Sequence, residues 1–255
     1  MSAAVDPRSA SYQPPQKMHV TFEHPLAPPE GNYKWVYLWH WPIRAMHWIA
    51  AIAIVLLVIT GFLIGKPYFL PRINADSPFF IGWMRMIHFA AAGALVATAI
   101  VRLYWLFAGN RYERWPALFP IRPRDWANMF RQVKFYLLIQ PEKAPHYLGH
   151  NPLQQTFYTM TYIAAAIMAL TGFALFGQAN PDGLMYTLFS WVGPLFGGIQ
   201  IARVVHHVLT WYFIVFIIAH VYLALRADLL ERTGTISSIV SGGRFVEADR
   251  TYIDE

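Results

Sequence analysis

The amino-acid sequence predicts an all-α integral membrane protein, a bundle of four transmembrane helices with both termini in the cytoplasm. Three observations carry this. Of 255 residues, 56% are hydrophobic and only 13% charged, against about 25% charged in soluble domains. Four separate stretches are long and apolar enough to cross a bilayer, which takes about 20 residues. Lys and Arg are distributed unequally among the connections, and that inequality orients the chain. The chain is also rich in Trp (10) and Tyr (14), the residues that favour the membrane–water interface.

The chain opens on a polar, proline-rich segment, residues 1–34, with Pro7, Pro14, Pro15, Pro25, Pro28 and Pro29. It holds no apolar run and reads as an extended tail rather than a signal peptide. Residues 35–232 form the transmembrane domain, with spans at about 45–65, 86–109, 157–177 and 204–226. Residues 233–255 read as a C-terminal cytoplasmic tail.

The connection 110–156 carries Arg111, Arg114, Arg122, Arg124, Arg131, Lys134 and Lys143, and the first connection Lys66, Arg72 and Arg85. The third has no Lys or Arg before Arg203. The positive-inside rule puts the 110–156 loop and both termini in the cytoplasm, as expected for a multi-pass protein of the cell's inner membrane. The net charge of +6 reflects this placement, not affinity for nucleic acid. Within the loop, Trp126–Gln140 alternates basic and apolar residues at helical spacing and reads as an amphipathic helix on the inner leaflet. Asn151-Pro152 suits a helix start, with Asn as the N-cap and Pro in the first turn. The apolar stretch Leu184–Ile201, interrupted by Pro194 and glycines, reads as a loop on the membrane or under a partner, or else a re-entrant segment.

Cysteine is absent, which excludes disulfides, thiolate-bound clusters and covalently attached haem. Any metal or cofactor is then held by His, Met, carboxylate or packing, and histidine inside a bilayer usually marks function. His206 and His220 share one face of span four, because 14 residues at 100° each fall only about 40° short of four turns; they sit roughly 21 Å apart in depth. His207 is turned elsewhere, toward a supporting or interhelical hydrogen bond. With alternating span directions the histidines sort by depth: His88 with His206 near the outside, His47 with His220 near the inside. Two such pairs suit two six-coordinate b haems, with imidazole on both axial positions. Methionine could also ligate haem, but Met46, Met84 and Met86, which flank the histidines, pair with none of them by depth and face.

Arg44, Arg85 and Arg203 each stand three residues before one of these histidines, one turn nearer water. Arg at that place suits a haem propionate, which it meets with bidentate hydrogen bonds. Thr60-Gly61-Phe62 and Thr171-Gly172-Phe173 repeat one motif on spans one and three. Gly61, 14 residues past His47, is expected to let a porphyrin pack against the backbone. Histidine-based metal or proton transport is the rival class, but such transporters bind at the midplane on broken helices, and no span here has an acidic residue at its middle.

These residues resemble the b-type cytochrome subunit of membrane-bound, uptake-type nickel–iron hydrogenases, from about Val36 to Gly242. The likeness rests on Arg44–Trp48, Thr60-Gly-Phe, His88-Phe-Ala-Ala-Ala, Ala108-Gly-Asn110, Gly149-His-Asn-Pro152, Leu170-Thr-Gly-Phe173, His206-His207, His220-Val-Tyr, Arg226-Ala-Asp228 and Ser237–Gly242. A looser similarity extends to formate dehydrogenase gamma subunits. The family's ligand histidines fall on His47, His88, His206 and His220. The resemblance implies an electron-transfer subunit without H₂ chemistry of its own. Hydrogenase small and large subunits on the outer, periplasmic face would deliver electrons through two haem b to a quinone. At the inner depth, Arg44, Tyr158 and His40, with His150 and Arg102 beside them, are the quinone-site candidates. The departures from the family pattern are Arg203-Val-Val before His206 and the 1–34 tail, both where a partner would touch.

Overall fold

The computed structural model describes residues 32–65, 79–136, 145–231 and 233–255. Strand β1 (Tyr33–Tyr37) leads into helix α1 (Trp41–Gly65). Helix α2 (Phe80–Ala108) is followed by the single turn α3 (Trp115–Leu118) and by α4 (Pro123–Tyr136). Next come α5 (Pro152–Gly177), the short α6 (Leu184–Phe189) and α7 (Val192–Leu195), and the longest helix, α8 (Ile199–Glu231). Helix α9 (Thr235–Ser241) and strand β2 (Gly243–Glu247) close the chain. Helices α1, α2, α5 and α8 are long and apolar enough to cross a membrane.

All four spanning helices start four to six residues before the apolar runs that predict them. The added turns hold Trp41, Pro42 and Arg44 in α1, Trp83 and Arg85 in α2, Gln154 and Gln155 in α5, and Gln200 and Arg203 in α8. These residues suit the interface but lower a hydropathy average, so the helix outruns its apolar signal. The start of α5 is as expected: Asn151 accepts from the Gln154 amide (2.9 Å), the Gln154 side chain accepts from the Asn151 amide (3.0 Å), and Pro152 opens the first turn.

The flanks of these helices are lined by exposed Ile52, Ile59, Ile100, Leu103, Val215 and Ile218, an outer surface suited to lipid. What the bundle buries is mostly small, Ala53 and Thr60 in α1, Ala91 in α2, Ala164, Thr171 and Ala174 in α5, Ala202 in α8, with Met46 and Phe213 as large exceptions. Small residues let membrane helices pack by close backbone approach. At Gly177 the approach is tight enough that a Cβ would lie 2.9 Å from the backbone of Tyr186, which seats α6 against the end of α5.

The expected all-α chain carries one small sheet. β1 pairs antiparallel with β2, from Tyr33 opposite Glu247 to Tyr37 opposite Gly243. The 233–255 segment, expected as a tail, is therefore folded onto the bundle. Leu38, Trp39, Tyr112, Leu148, Val246 and Tyr252 form a buried cluster there. Buried Arg244 donates to the carbonyls of Tyr147 (2.6 Å) and Leu148 (2.9 Å). Asp254 accepts from the amides of Leu148 and Gly149, both at 2.7 Å. The start of α1, the end of α2, the start of α5 and the segment after α8 thus meet at one base, so the ends of the described chain lie on the same side.

The base is knotted by Glu113, whose side chain is fully buried. One carboxylate oxygen accepts from the His40 amide (2.6 Å). The other accepts from the Trp105 indole (3.0 Å) and the Asn110 amide (3.0 Å), and lies 2.8 Å from His40 Nδ1. Desolvation pushes this carboxyl up, but the hydrogen bonds from His40, Asn110 and Trp105 prevail and hold it below the usual carboxylate range.

The amphipathic segment Trp126–Gln140 is helical to Tyr136, within α4; residues 137–140 lie outside the described residues. α4 inverts the soluble pattern. Its polar row, Asp125, Asn128 and Gln132, is buried, while Trp126 and Phe130 face outward. Asn128 donates to the Tyr147 hydroxyl (2.8 Å). The 184–201 stretch is two short helices and the first turn of α8, joined through Gly197 and Gly198 at φ of 87° and 128°, a backbone that excludes most side chains. Residues 1–31 of the expected tail, and Lys66, Arg72 and Lys143 of the charge count, lie outside the described residues.

Candidate haem site

Two levels of the bundle hold the four histidines singled out by spacing. At the level nearer the base, His47 of α1 faces His220 of α8, with ring centroids 6.2 Å apart and planes inclined at 48°. Two imidazoles on one metal, each bonded at about 2 Å, have nitrogens about 4 Å apart and centroids about 6 Å apart. The observed separation matches that span. Phe216 stacks on His220 at 5.5 Å, and Trp48 sets its edge to His47 at 5.3 Å.

The second level lies about 20 Å along the helices, by the 13 residues from His47 to Thr60 and the 14 from His220 to His206. Here the repeated Thr-Gly motif meets a histidine twice. Thr60 Oγ1 of α1 is 2.9 Å from Nδ1 of His88 on α2, and Thr171 Oγ1 of α5 is 3.0 Å from Nδ1 of His206 on α8. A Cβ on Gly61 would lie 3.5 Å from the His88 ring, and one on Gly172 only 3.2 Å from the His206 ring. Gly61, expected to let a porphyrin pack against the backbone, lies beside the His88 imidazole. His88 and His206 are within electrostatic reach of each other.

The hydrogen bonds assign the ring protons. Thr60 Oγ1 donates its one proton to the Leu56 carbonyl (2.6 Å), so toward His88 it accepts, and Nδ1 carries the hydrogen. His206 Nδ1 is also 3.1 Å from the Met168 carbonyl, which only accepts. Both rings are therefore Nδ1–H tautomers with the Nε2 lone pair free for a metal. Among the described residues no three His, Cys, Asp or Glu side chains converge to hold a metal ion. Facing imidazoles without equatorial protein donors suit a metal whose equatorial donors come from its own macrocycle. The residues present fit a haem.

The arginines part ways. Arg44 donates to the Val240 carbonyl of α9, and its Nε is buried without a partner. Arg203 donates to Gln200 Oε1 (2.7 Å), and Arg85 is exposed. Sequence reasoning missed Arg226, six residues past His220 on α8, whose buried Nε also lacks a partner. Its signal was a second arginine one to two turns from an inner histidine, on the C-terminal rather than the N-terminal side.

Of the residues expected near a quinone, His40 is held by Glu113. His150 packs between Trp39 (4.7 Å) and Tyr158 (5.0 Å), and its Nδ1 is sealed without a hydrogen-bond partner. Burial first, and then the Arg102 guanidinium, push its imidazole down to about 3, so it is neutral at physiological pH. Arg102 itself donates to the Glu113 carbonyl (3.1 Å) and the Tyr162 hydroxyl (3.3 Å). His207, next to His206, turns to Phe62 of α1 at 5.6 Å.

The glycine contacts predict a size limit. Gly172→Leu forces the His206 ring aside and should remove or destabilise any group bound at that level. Gly61→Ala, with ordinary van der Waals space, should leave it intact. Haem content of the two purified variants checks this.

The chain is similar to the probable Ni/Fe-hydrogenase B-type cytochrome subunit of Azotobacter vinelandii, 39% identical over 84% of this chain and 90% of that protein. It is 39% identical to the subunit of the same name from Rhizobium leguminosarum bv. viciae, over 82% of this chain and 88% of that one. The probable Ni/Fe-hydrogenase 1 B-type cytochrome subunit of Escherichia coli K12 is 31% identical over 82% of this chain and 90% of its own length. Residues 38–242 match the family model described as prokaryotic cytochrome b561. With that match spanning most of its length and four helices apolar enough to cross a membrane, this chain belongs to the prokaryotic cytochrome b561 family, as a multi-pass membrane protein.

Proposed function

We propose that the chain is the membrane electron-transfer subunit of a nickel–iron hydrogenase. It takes electrons from the iron–sulfur small subunit on the periplasmic face of the inner membrane and passes them to quinone. The observation that carries this is the pairing of imidazoles at two depths: His47 against His220 at 6.2 Å, and His88 and His206 each held by a Thr-Gly motif. The names of the relatives support a nickel–iron hydrogenase as the partner. Each haem b, when bound, supplies a one-electron carrier.

The chain's own residues do the rest. His47 and His220 would hold one iron, and His88 and His206 the other. Arg44, Arg85 and Arg203 would meet propionate carboxylates, with Arg226 added at the inner level. The basic base, with Arg111, Arg114, Arg122, Arg124, Arg131 and Lys134, faces the cytoplasm, and α4 lays Trp126 and Phe130 on the inner leaflet. Quinone binds at that side near Arg44 and Tyr158, with His40 at its edge. The H₂ chemistry belongs to the partner.

A reduced-minus-oxidised spectrum of the purified complex, with pyridine haemochrome quantification, tests the reading. Two haem b per chain, reduced by H₂ when hydrogenase subunits co-purify, is the expected result. Formate-dependent reduction with different catalytic subunits would move the chain to another oxidoreductase. A gently prepared complex without haem would sink the relay.

A further inference from the structure

The two levels differ in what their histidines touch. His88 and His206 both donate Nδ1–H to fixed oxygen acceptors, His88 to Thr60 and His206 to Thr171 and the Met168 carbonyl. At the other level, Nδ1 of His47 is buried with no partner among the described residues. A histidine whose second nitrogen donates to an oxygen is a more basic ligand, and it is also held in one ring orientation. Greater basicity favours the more positive, oxidised iron and so lowers the reduction potential; hydrogen bonding and burial are among the protein's levers on it. The threonines are well built for the role. Each hydroxyl spends its proton on a carbonyl one turn back, Thr60 on Leu56 (2.6 Å) and Thr171 on Ile167 (2.8 Å). That bond turns the oxygen's lone pairs toward the imidazole and strengthens it as an acceptor. The glycine after Thr171 then leaves the space its ring needs, an added Cβ lying only 3.2 Å from His206, while an added Cβ on Gly61 would stand at ordinary van der Waals distance, 3.5 Å, from His88.

We propose that Thr60 and Thr171 are paired positioning residues. They fix the Nδ1–H tautomer of His88 and His206 and hold the potential at that level below the potential held by His47 and His220. This rests on the two-haem reading above. It gives the bundle a built-in direction, since the level nearer the electron donor is then the lower in potential. The effect is graded by residue. Among the described residues Thr60 is the one side-chain acceptor at His88, whereas His206 keeps the Met168 carbonyl if Thr171 is lost.

The experiment is a potentiometric titration of the haem absorption bands in the purified complex. Wild type should show two components. Thr60→Val should raise the lower one, making reduction about tenfold more favourable, or about 59 mV for one electron. Thr171→Val should raise it less, and Thr60→Ser, which keeps the hydroxyl, should restore it. Unchanged potentials with both haems bound would overturn the proposal. So would movement of the higher component alone, or a shift in Thr60→Ser equal to that in Thr60→Val. If Thr60→Val empties its site, Thr171→Val decides by the same reading. A wild-type chain with no haem would instead overturn the electron-relay reading on which this one rests.

Discussion

His47→Ala and His220→Ala should each remove the same single haem, leaving one per chain of an expected two. His88→Ala and His206→Ala should each remove the other. The pairs act as units: an iron deprived of one imidazole, in a chain without Cys, loses half of its protein ligation. Double substitution within a pair should therefore cost no more haem than a single one, the non-additivity expected of groups serving one site. Losing a residue that merely supports a metal ligand already costs about 10–100-fold in affinity or activity. H₂-dependent quinone reduction should fall at least that far in all four variants. His207→Ala is the sharpest control. It is adjacent in sequence to a proposed ligand but turned to Phe62, so it should keep both haems. Pyridine haemochrome content and the reduced spectrum of each variant decide. If His207→Ala loses a haem while His206→Ala keeps both, the register of α8 assigned here is wrong. If one member of a pair loses a different haem from its mate, the pairing is wrong.

How far the sequence foretold this arrangement depends on the range of the signal. The spans were legible because lipid demands long apolar runs, and their helices were misjudged only at the ends, where Trp, Gln and Arg continue the turn into the interface. The level shared by His47 and His220 was legible from depth. The sheet was not. Its strands, Tyr33–Tyr37 and Gly243–Glu247, are five residues each and more than 200 residues apart, with no hairpin turn to announce them. The Thr-Gly repeat was visible, but its glycine drew attention as space for a porphyrin. The threonine hydroxyl, the atom that touches the histidine, has no signature in hydropathy. Glu113 was invisible for the opposite reason: a lone acid among Arg111, Arg114 and Arg122 reads as a solvated charge, and only the tertiary meeting of β1, α1 and α2 buries it. The same carboxylate engages Nδ1 of His40, a contact with no signal in the sequence.

Glu113→Ala should be the most destabilising single change at the base. It removes an acceptor shared by the His40 amide, the Trp105 indole and the Asn110 amide, and it leaves those donors without a partner. Breaking a buried charged cluster by deleting one member costs about 3–5 kcal/mol, a fall in Tm of about 10 °C for a chain of this size. Glu113→Gln keeps the shape but turns an NH₂ toward groups that only donate, so it should recover little. Because folding holds the Glu113 carboxyl below its ordinary value, the unfolded chain takes up the proton first. The contribution is then fully present above about pH 4.3 and is lost as pH falls through the folded value. His150 acts earlier in an acid titration. Its folded value of about 3 lies below the ordinary imidazole value of 6.5. Between these two values the unfolded state again binds the extra proton, and stability falls as the solution is acidified. Thermal melts of the detergent-solubilised protein should therefore decline in two stages, from below about pH 6.5 and again below the carboxylate range. His150→Asn should weaken the first stage and Glu113→Gln the second. If Glu113→Gln melts with the wild-type Tm at neutral pH, the carboxylate is not what joins the start of α1 to the end of α2, and the base must be held by Arg244 and the strand pair alone.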